Sequence, residues 1–296
     1  MKTFDIVLLI TFILLAACAS APQAAPATNA PQSLSGSLKQ PTSTPDNQAG
    51  GTASGGDSLQ AETEPQDEDF PQPEVQWDPD PETQVVSATF CCGLASELLK
   101  NNYLPQAQIY GDGRIIWTLE ASDGKRNVMQ GRLTSEQMAG LLQSAVNAGF
   151  FGWDELYTDP LSPSDLPSQC LSIQLVDQSR RVCEYYQGAP PAFHDLYDRL
   201  AQGAGASGTP YTPENGYLTA YPIDKPDGPA QTWDADGLGL SLAQAVSGAW
   251  VEGPALEKAW ELVNDSPWGG ITQEGEAFYQ ITLQIPVVSM YQPPMP

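Results

Sequence analysis

Gln106-Ala107-Gln108-Ile109-Tyr110-Gly111-Asp112-Gly113-Arg114-Ile115-Ile116-Trp117-Thr118-Leu119 is the stretch on which the fold turns. Two β-prone runs, Gln106 to Tyr110 and Arg114 to Leu119, flank Gly111-Asp112-Gly113, a turn that tolerates positive φ, so the segment predicts a β-hairpin. Upstream, Val85 to Phe90 is a further β-rich segment. Downstream, Thr134 stands three residues before Gln137 in a capping-box pattern. Met138, Leu141, Leu142, Ala145 and Val146 follow at one-faced helical spacing, and Gly149 stops the helix. Leu171 to Val176 and Arg181 to Tyr186 make a second hairpin around residues 177–180. Pro190 and Pro191 then open a helix whose apolar face is Phe193, Leu196, Tyr197 and Leu200. The class that follows is α+β, a mainly antiparallel sheet with packed helices, preceded by a disordered N-terminal tether.

The small, flexible stretch Gly203 to Pro213 marks a boundary between an α+β domain over residues 84–203 and a C-terminal α+β subdomain over 211–296 that can belong to the same fold. The latter contains a strand from Tyr217 to Ile223, a short helix capped by Ser241 with Gln244 three residues on, and a helix opened by Pro254 with Leu256, Ala259, Trp260 and Val263 inward. Its last strand puts Tyr279, Ile281, Leu283 and Ile285 on one face, with Pro286 at its end. Trp250 and Trp260 read as core. No period recurs, which disfavours solenoids and propellers.

The N-terminus has a different character. Met1 and Lys2 precede an apolar run from Ile6 to Leu15, shorter than the roughly 20 residues of a membrane span, and then Leu15-Ala16-Ala17-Cys18. This is the layout of a secretory signal over residues 1–17. Leu15 to Cys18 resembles the lipobox of bacterial lipoproteins. The resemblance implies lipidation of Cys18, cleavage before it, and attachment to a membrane through the acyl chains, where two or more chains suffice. Residues 18–83 are rich in Ala, Pro, Gln, Ser, Thr and Gly and then acidic from Glu62 to Glu82, too polar to offset the entropy of ordering. They are expected to form a tether, with Trp77, a large apolar residue in its last part, able to dock on the domain.

Composition narrows the functions. A formal net charge of -24 with only 12 Lys plus Arg among 296 residues repels phosphate backbones and excludes nucleic-acid partners. Beyond Cys18 remain Cys91, Cys92, Cys170 and Cys183, an even number that reads as disulfides in an oxidising compartment. A bridge between neighbouring Cys91 and Cys92 would be strained, so pairing of one or both with Cys170 and Cys183 is expected. A four-cysteine zinc site lacks the usual two-residue knuckle spacing.

From Ile109 to Gly113, through Gly131-Arg132-Leu133-Thr134 and Gly149-Phe150-Phe151, to Val182 and Ala189-Pro190, the chain resembles an uncharacterised domain-of-unknown-function family of exported bacterial proteins. The resemblance spans about residues 85–202 and implies a fold but no activity or site residue.

The chemistry-bearing residues form no compelling catalytic set. Gly239-Leu240-Ser241-Leu242-Ala243 resembles a nucleophile elbow. However, the sole histidine, His194, precedes the serine, against the hydrolase chain order, and Ser241 already has a capping role. His194 lies off the apolar stripe, four residues before Asp198, where an ordinary side-chain pair would form. Asp154, Glu155, Asp159 and Asp165 cluster in one proline-stiffened loop beside Tyr157, and such oxygen ligands could hold calcium. The spacing matches no twelve-residue calcium loop, and Asp234-Ala235-Asp236-Gly237 lacks the remaining ligands, so solvated acidic loops are expected and no cofactor is predicted. Tyr211, Tyr217, Tyr221 and Trp233 lie where the halves join. They either pack the halves together or present a surface to a glycan or peptide. The expected function is a membrane-anchored extracytoplasmic binding or interaction module with a protein or glycan partner. An envelope hydrolase using carboxylates or a metal, and a structural envelope component, are the alternatives.

Overall fold

The computed structural model describes residues 75–91, 93, 96–161, 163–267 and 269–295. The leader, Cys18, the tether as far as residue 74, and Cys92 lie outside the described residues; at Cys91 only the backbone is described.

Physical constraints at the central hairpin are local and strict. Gly113 has φ 83°, its N–H donates to Tyr110 O at 2.9 Å, and a Cβ there would lie 2.5 Å from Leu133 O. Asp112 Oδ1 accepts the Arg114 N–H at 3.0 Å and closes the turn. Two β-rich arms thus become neighbours, and the rest of the first sheet builds outward from them.

In chain order this part contains β1 (Gln84–Cys91), α1 (Glu97–Lys100), β2 (Ala107–Tyr110), β3 (Arg114–Glu120), β4 (Arg126–Arg132), α2 (Ser135–Asn147), β5 (Leu156–Thr158), β6 (Ser168–Gln174), β7 (Ser179–Tyr185), α3 (Pro191–Ala201) and β8 (Gly208–Pro210). The strands form one eight-stranded sheet in the order β5-β7-β6-β1-β2-β3-β4-β8, antiparallel except for β5 beside β7. The remainder contains β9 (Gly216–Ile223), β10 (Gln231–Thr232), α4 (Ala235–Leu238), β11 (Ala249–Val251), α5 (Gly253–Asp265), β12 (Ile271–Glu274) and β13 (Ala277–Gln284). These strands make a second sheet, β10-β12-β13-β9-β11, again antiparallel except for one pair, β10 with β12. The α+β class with mainly antiparallel sheet is therefore present.

Alternation along the strands divides the first sheet into two faces. Val86, Ala88, Ile109, Ile115, Leu171 and Val182 face α2 and α3, whose stripes Met138-Leu141-Leu142-Ala145 and Phe193-Leu196-Tyr197-Leu200 are buried against them. Each such buried aliphatic or aromatic side chain contributes about 1.5–3 kcal/mol. Thr134 and Gln137 form the reciprocal capping box at the start of α2, at 3.1 and 2.9 Å. On the opposite face, Tyr110, Ile116 and Val128 join a second core with Leu218, Ala220, Ile281 and Leu283 of the second sheet and Leu256, Ala259, Leu262 and Val263 of α5. Consecutive Ile115 and Ile116 are thus both buried, each in a different core.

Several segments connect the two sheets. The expected boundary contributes β8, which pairs with β4; a Cβ on Gly208 would fall 2.3 Å from the Trp117 ring, so only glycine permits that approach. Arg126 sends its guanidinium to Asn102 O at 2.7 Å and to Val263 O, in the last turn of α5, at 3.0 Å. Burial holds its pKa down to about 10. Trp77 docks, as expected, with its Nε1 donating to Gly111 O at 3.0 Å and its ring against the first core. Val176 N–H donates to Gln76 O at 3.0 Å, so the chain is already packed on the sheet well before residue 83.

The cysteine pairing differs from expectation. Cys170 and Cys183 face one another across β6 and β7 with Cα atoms 4.0 Å apart and are bonded to each other, not to the Cys91-Cys92 pair. The hairpin register sets this, because it brings the two cysteines side by side as soon as the strands pair.

Candidate functional site

The second sheet covers the β2-β3-β4 half of the first sheet's outer face and leaves the β1-β6-β7 half open. On that half the side chains alternating with the core are short and polar. Strand register aligns four of them: Gln108 stands opposite Ser87, Ser87 opposite Ser172, and Ser172 opposite Arg181. With strands about 4.8 Å apart, this row runs about 14 Å across β2, β1, β6 and β7. Thr89 and the Cys170–Cys183 disulfide form the adjacent row, since Thr89 pairs with Cys170. Serines in the middle of a sheet face keep the floor low, and the result is a trough. A hollow of about 510 Å³ lies over β6 and β7, lined by Ser87, Ser172, Arg181, Arg180 and Glu155. One of about 350 Å³ continues it toward Gln108 and Tyr110, sharing Gln84, Ser87, Ser172 and Arg181.

The chain after β13 walls the second hollow with Val287, Ser289, Met290 and Gln292. That wall is anchored: Ile285 N–H donates to Ser289 Oγ at 2.7 Å, Val287 N–H to Gln292 Oε1 at 2.8 Å, and Gln284 Nε2 to Tyr291 O at 2.9 Å. The Tyr110 hydroxyl sits 2.9 Å from Gln108 Oε1 and 3.2 Å from Val287 O, tying floor to wall. Burial pushes that phenol up to about 12, against the pull of the Arg114 guanidinium 4.4 Å from the ring centre.

The two arginines of β7 are used differently. Arg180 is paired, with Glu155 Oε1 3.2 Å from its Nη1 and Trp153 O accepting from Nη2. Arg181 is exposed at the trough floor. Its Nη2 donates to Cys170 Sγ at 3.5 Å, and among the described residues no carboxylate lies within ion-pair distance of it. Arg114 and Arg126 also have no carboxylate within ion-pair distance among the described residues, but their guanidinium groups are taken up by backbone carbonyls, Pro81 O for Arg114 and Asn102 O and Val263 O for Arg126.

The acidic loop does not converge on a cation position. Asp154 N–H donates to Tyr157 Oη at 3.1 Å, Glu155 pairs with Arg180, and Asp165 is exposed at φ 66°. Asp159 accepts Leu161 N–H at 2.7 Å and Gln187 Nε2 at 2.8 Å, bonds that hold its carboxyl below the usual range. Among the described residues no group of three or more His, Cys, Asp or Glu is placed to hold a metal ion. Asp234 instead caps α4, its Oδ1 accepting Gly237 N–H at 3.2 Å.

The four aromatic candidates are split up. Trp233 is buried, with Nε1 donating to Leu240 O at 2.7 Å. Tyr211 packs edge-on against Trp260 at 6.0 Å and borders an adjoining hollow of about 280 Å³ with Tyr110 and Arg114. Tyr217 and Tyr221 alternate with buried Leu218 and Ala220 and so share the outer face of β9. There Tyr217 meets Trp250, which is half-buried and not a core residue as its sequence context suggested. Ser241 Oγ accepts Ala243 N–H at 3.2 Å, ahead of a single 3-10 turn over Gln244–Ser247 where a short helix was expected. His194 Nε2 is 3.6 Å from Glu184 Oε1, which also accepts Ala189 N–H at 2.8 Å, so its partner comes from β7 and not from Asp198 on its own helix.

No known protein family, curated protein or solved structure matches the chain. The trough therefore stands on its geometry. None of its floor residues belongs to the sequence candidates apart from the two cysteines at its border. The available signal was the polar member of each alternating pair: Ser87 between Val86 and Ala88, Gln108 between Ala107 and Ile109, Ser172 between Leu171 and Ile173.

Proposed function

We propose that this chain is an exported lipoprotein, acylated on Cys18 and held at a membrane, whose body is a binding module that uses the open half of the first sheet as its recognition surface. The observation that carries the binding reading is the row Gln108-Ser87-Ser172-Arg181, a polar floor that runs from buried Gln108 and Ser87 through half-buried Ser172 to the exposed Arg181, whose guanidinium has no acidic partner among the described residues. Such groups are the usual means of orienting a polar ligand. Export and anchoring are supported by the lipobox resemblance at Leu15 to Cys18 and by the Cys170–Cys183 disulfide, a bond that persists in oxidising compartments. The tether composition before residue 75 fits a module held away from a bilayer.

Two experiments test the two parts separately. A Cys18→Ala chain is expected to leave the membrane fraction after a high-salt wash; retention overturns the anchor. Envelope extract passed over the immobilised chain is expected to leave a ligand that a Ser172→Tyr variant, with the trough filled, fails to retain. Equal retention by both overturns the trough as the recognition surface. Turnover of a glycan or peptide that survives the filling would favour the hydrolase alternative.

A further inference from the structure

We infer that the trough takes an acidic sugar, a hydroxyl-rich ligand whose carboxylate is held by the Arg181 guanidinium; this rests on the trough being the recognition surface proposed above. Three features of the floor select that chemistry. The first is the guanidinium. A planar fork of five donors matches a carboxylate bidentately, and the sulfur contact of Nη2 is a weak claim on one of them.

The second is the row itself. Ser87 and Ser172 each both donate and accept, and Gln108, whose Oε1 already accepts from the Tyr110 hydroxyl, adds a donor in Nε2; this suits sugar hydroxyls, themselves donors and acceptors. Charge along the row orients the ligand: Glu82 borders the end near Tyr110 and repels a carboxylate there, while Glu155 at the other end is offset by its pairing with Arg180, which favours a carboxylate at Arg181.

The third is what the surroundings exclude. A polyphosphate or anionic lipid surface would meet a single guanidinium without an acidic partner in a strongly negative field, so multiple charges are disfavoured. An extended peptide added as a strand needs a free sheet edge. Here β1 and β6 are interior strands, and the outer side of β7 is paired with β5. That leaves side-chain recognition from the face.

The test uses the full-length chain in detergent micelles, titrated calorimetrically with digalacturonate, its methyl ester, inorganic phosphate, and a tripeptide with a free C-terminal carboxylate. Digalacturonate is expected to bind. Esterification and Arg181→Gln should each weaken it about tenfold or more, the loss of one charge-assisted hydrogen-bonded pair. Arg181→Lys should recover part of the affinity, keeping charge without the fork. Equal binding of acid and ester, no binding of digalacturonate, or an Arg181→Gln chain that binds as well as the parent overturns the assignment. Tighter binding of phosphate or of the tripeptide, abolished by Ser172→Tyr, also overturns the sugar class but leaves the binding-module reading standing. If Arg181→Gln does not fold, the comparison of acid with ester decides alone.

Discussion

Asn102 occupies the free edge of β13 as if it were a strand: its Oδ1 accepts the Leu283 N–H at 2.9 Å, while its Nδ2 donates to Ile281 O at 3.4 Å. β12 pairs with β13 only as far as Gln280, so beyond that point the edge would be unsatisfied. Asn102 is 2 % exposed and supplies the missing ladder bonds from the loop after α1. Asn102→Leu should orphan the Leu283 N–H and cost about 1–3 kcal/mol. The check is chemical denaturation, with a lower midpoint and an unchanged slope; an unchanged midpoint would refute this role.

Arg126 is coupled to the same place, because Asn102 O is one of its acceptors. Its second acceptor, Val263 O, is in the final turn of α5, where the helix dipole favours a cation. Arg126→Ala should destabilise by about 1–3 kcal/mol through the orphaned carbonyls. Combined with Asn102→Leu, the total should depart from the sum of the single losses by about 0.5 kcal/mol or more. Strict additivity would mean that the two clamps act independently.

The Cys170–Cys183 bond closes a short loop, with a sequence separation of 13. In the chain-entropy account its removal costs about 3 kcal/mol. A Cys170→Ser, Cys183→Ser chain should therefore unfold at a lower denaturant concentration by that amount, while the untreated protein should shift by the same amount when reductant is added. A reductant-insensitive midpoint would show that the bridge adds nothing to stability.

Alkaline pH should destabilise the fold. Burial raises the phenol pKa of Tyr110 to about 12 and raises that of Tyr197 as well, both above the usual value near 10. The folded state then keeps protons that the unfolded state has released. The contribution is complete below pH ~10 and is lost as pH rises through the folded values. Ultraviolet titration of the folded protein should show a phenolate fraction that appears late and arrives together with unfolding; simultaneous ionisation of all tyrosines near pH ~10 would contradict this.

The elements whose signals are local could be read directly from the chain. Thr134 and Gln137 announce α2, Pro191 opens α3, and Gly111 to Gly113 set the β2-β3 turn, because each is a backbone requirement met within a few residues. The alternation Tyr279, Ile281, Leu283, Ile285 was also sufficient to place the last strand's buried face. Elements that depend on distant partners were not readable. β8 is three residues made a strand only by β4, and β5 is a strand only beside β7. The trough is of the same kind: Gln108, Ser87, Ser172 and Arg181 are spread over more than seventy residues of chain and become neighbours only through the pairing of four strands. The cysteine pairing failed for the same reason, since spacing alone does not reveal which strands are adjacent.

Core and trough are written in alternate letters of the same strands: Val86 and Ala88 face the helices, while Ser87 and Thr89 face the opening. Insertion or deletion of one residue within β1 or β6 would exchange the two sets, burying hydroxyls and exposing the apolar face. Change at this surface is therefore tolerable only by replacement, one outward position at a time. Within that constraint the four-residue row is an open palette: a library varied at Gln108, Ser87, Ser172 and Arg181 alone would change the chemistry of the proposed recognition surface while leaving the inward-facing side chains unaltered.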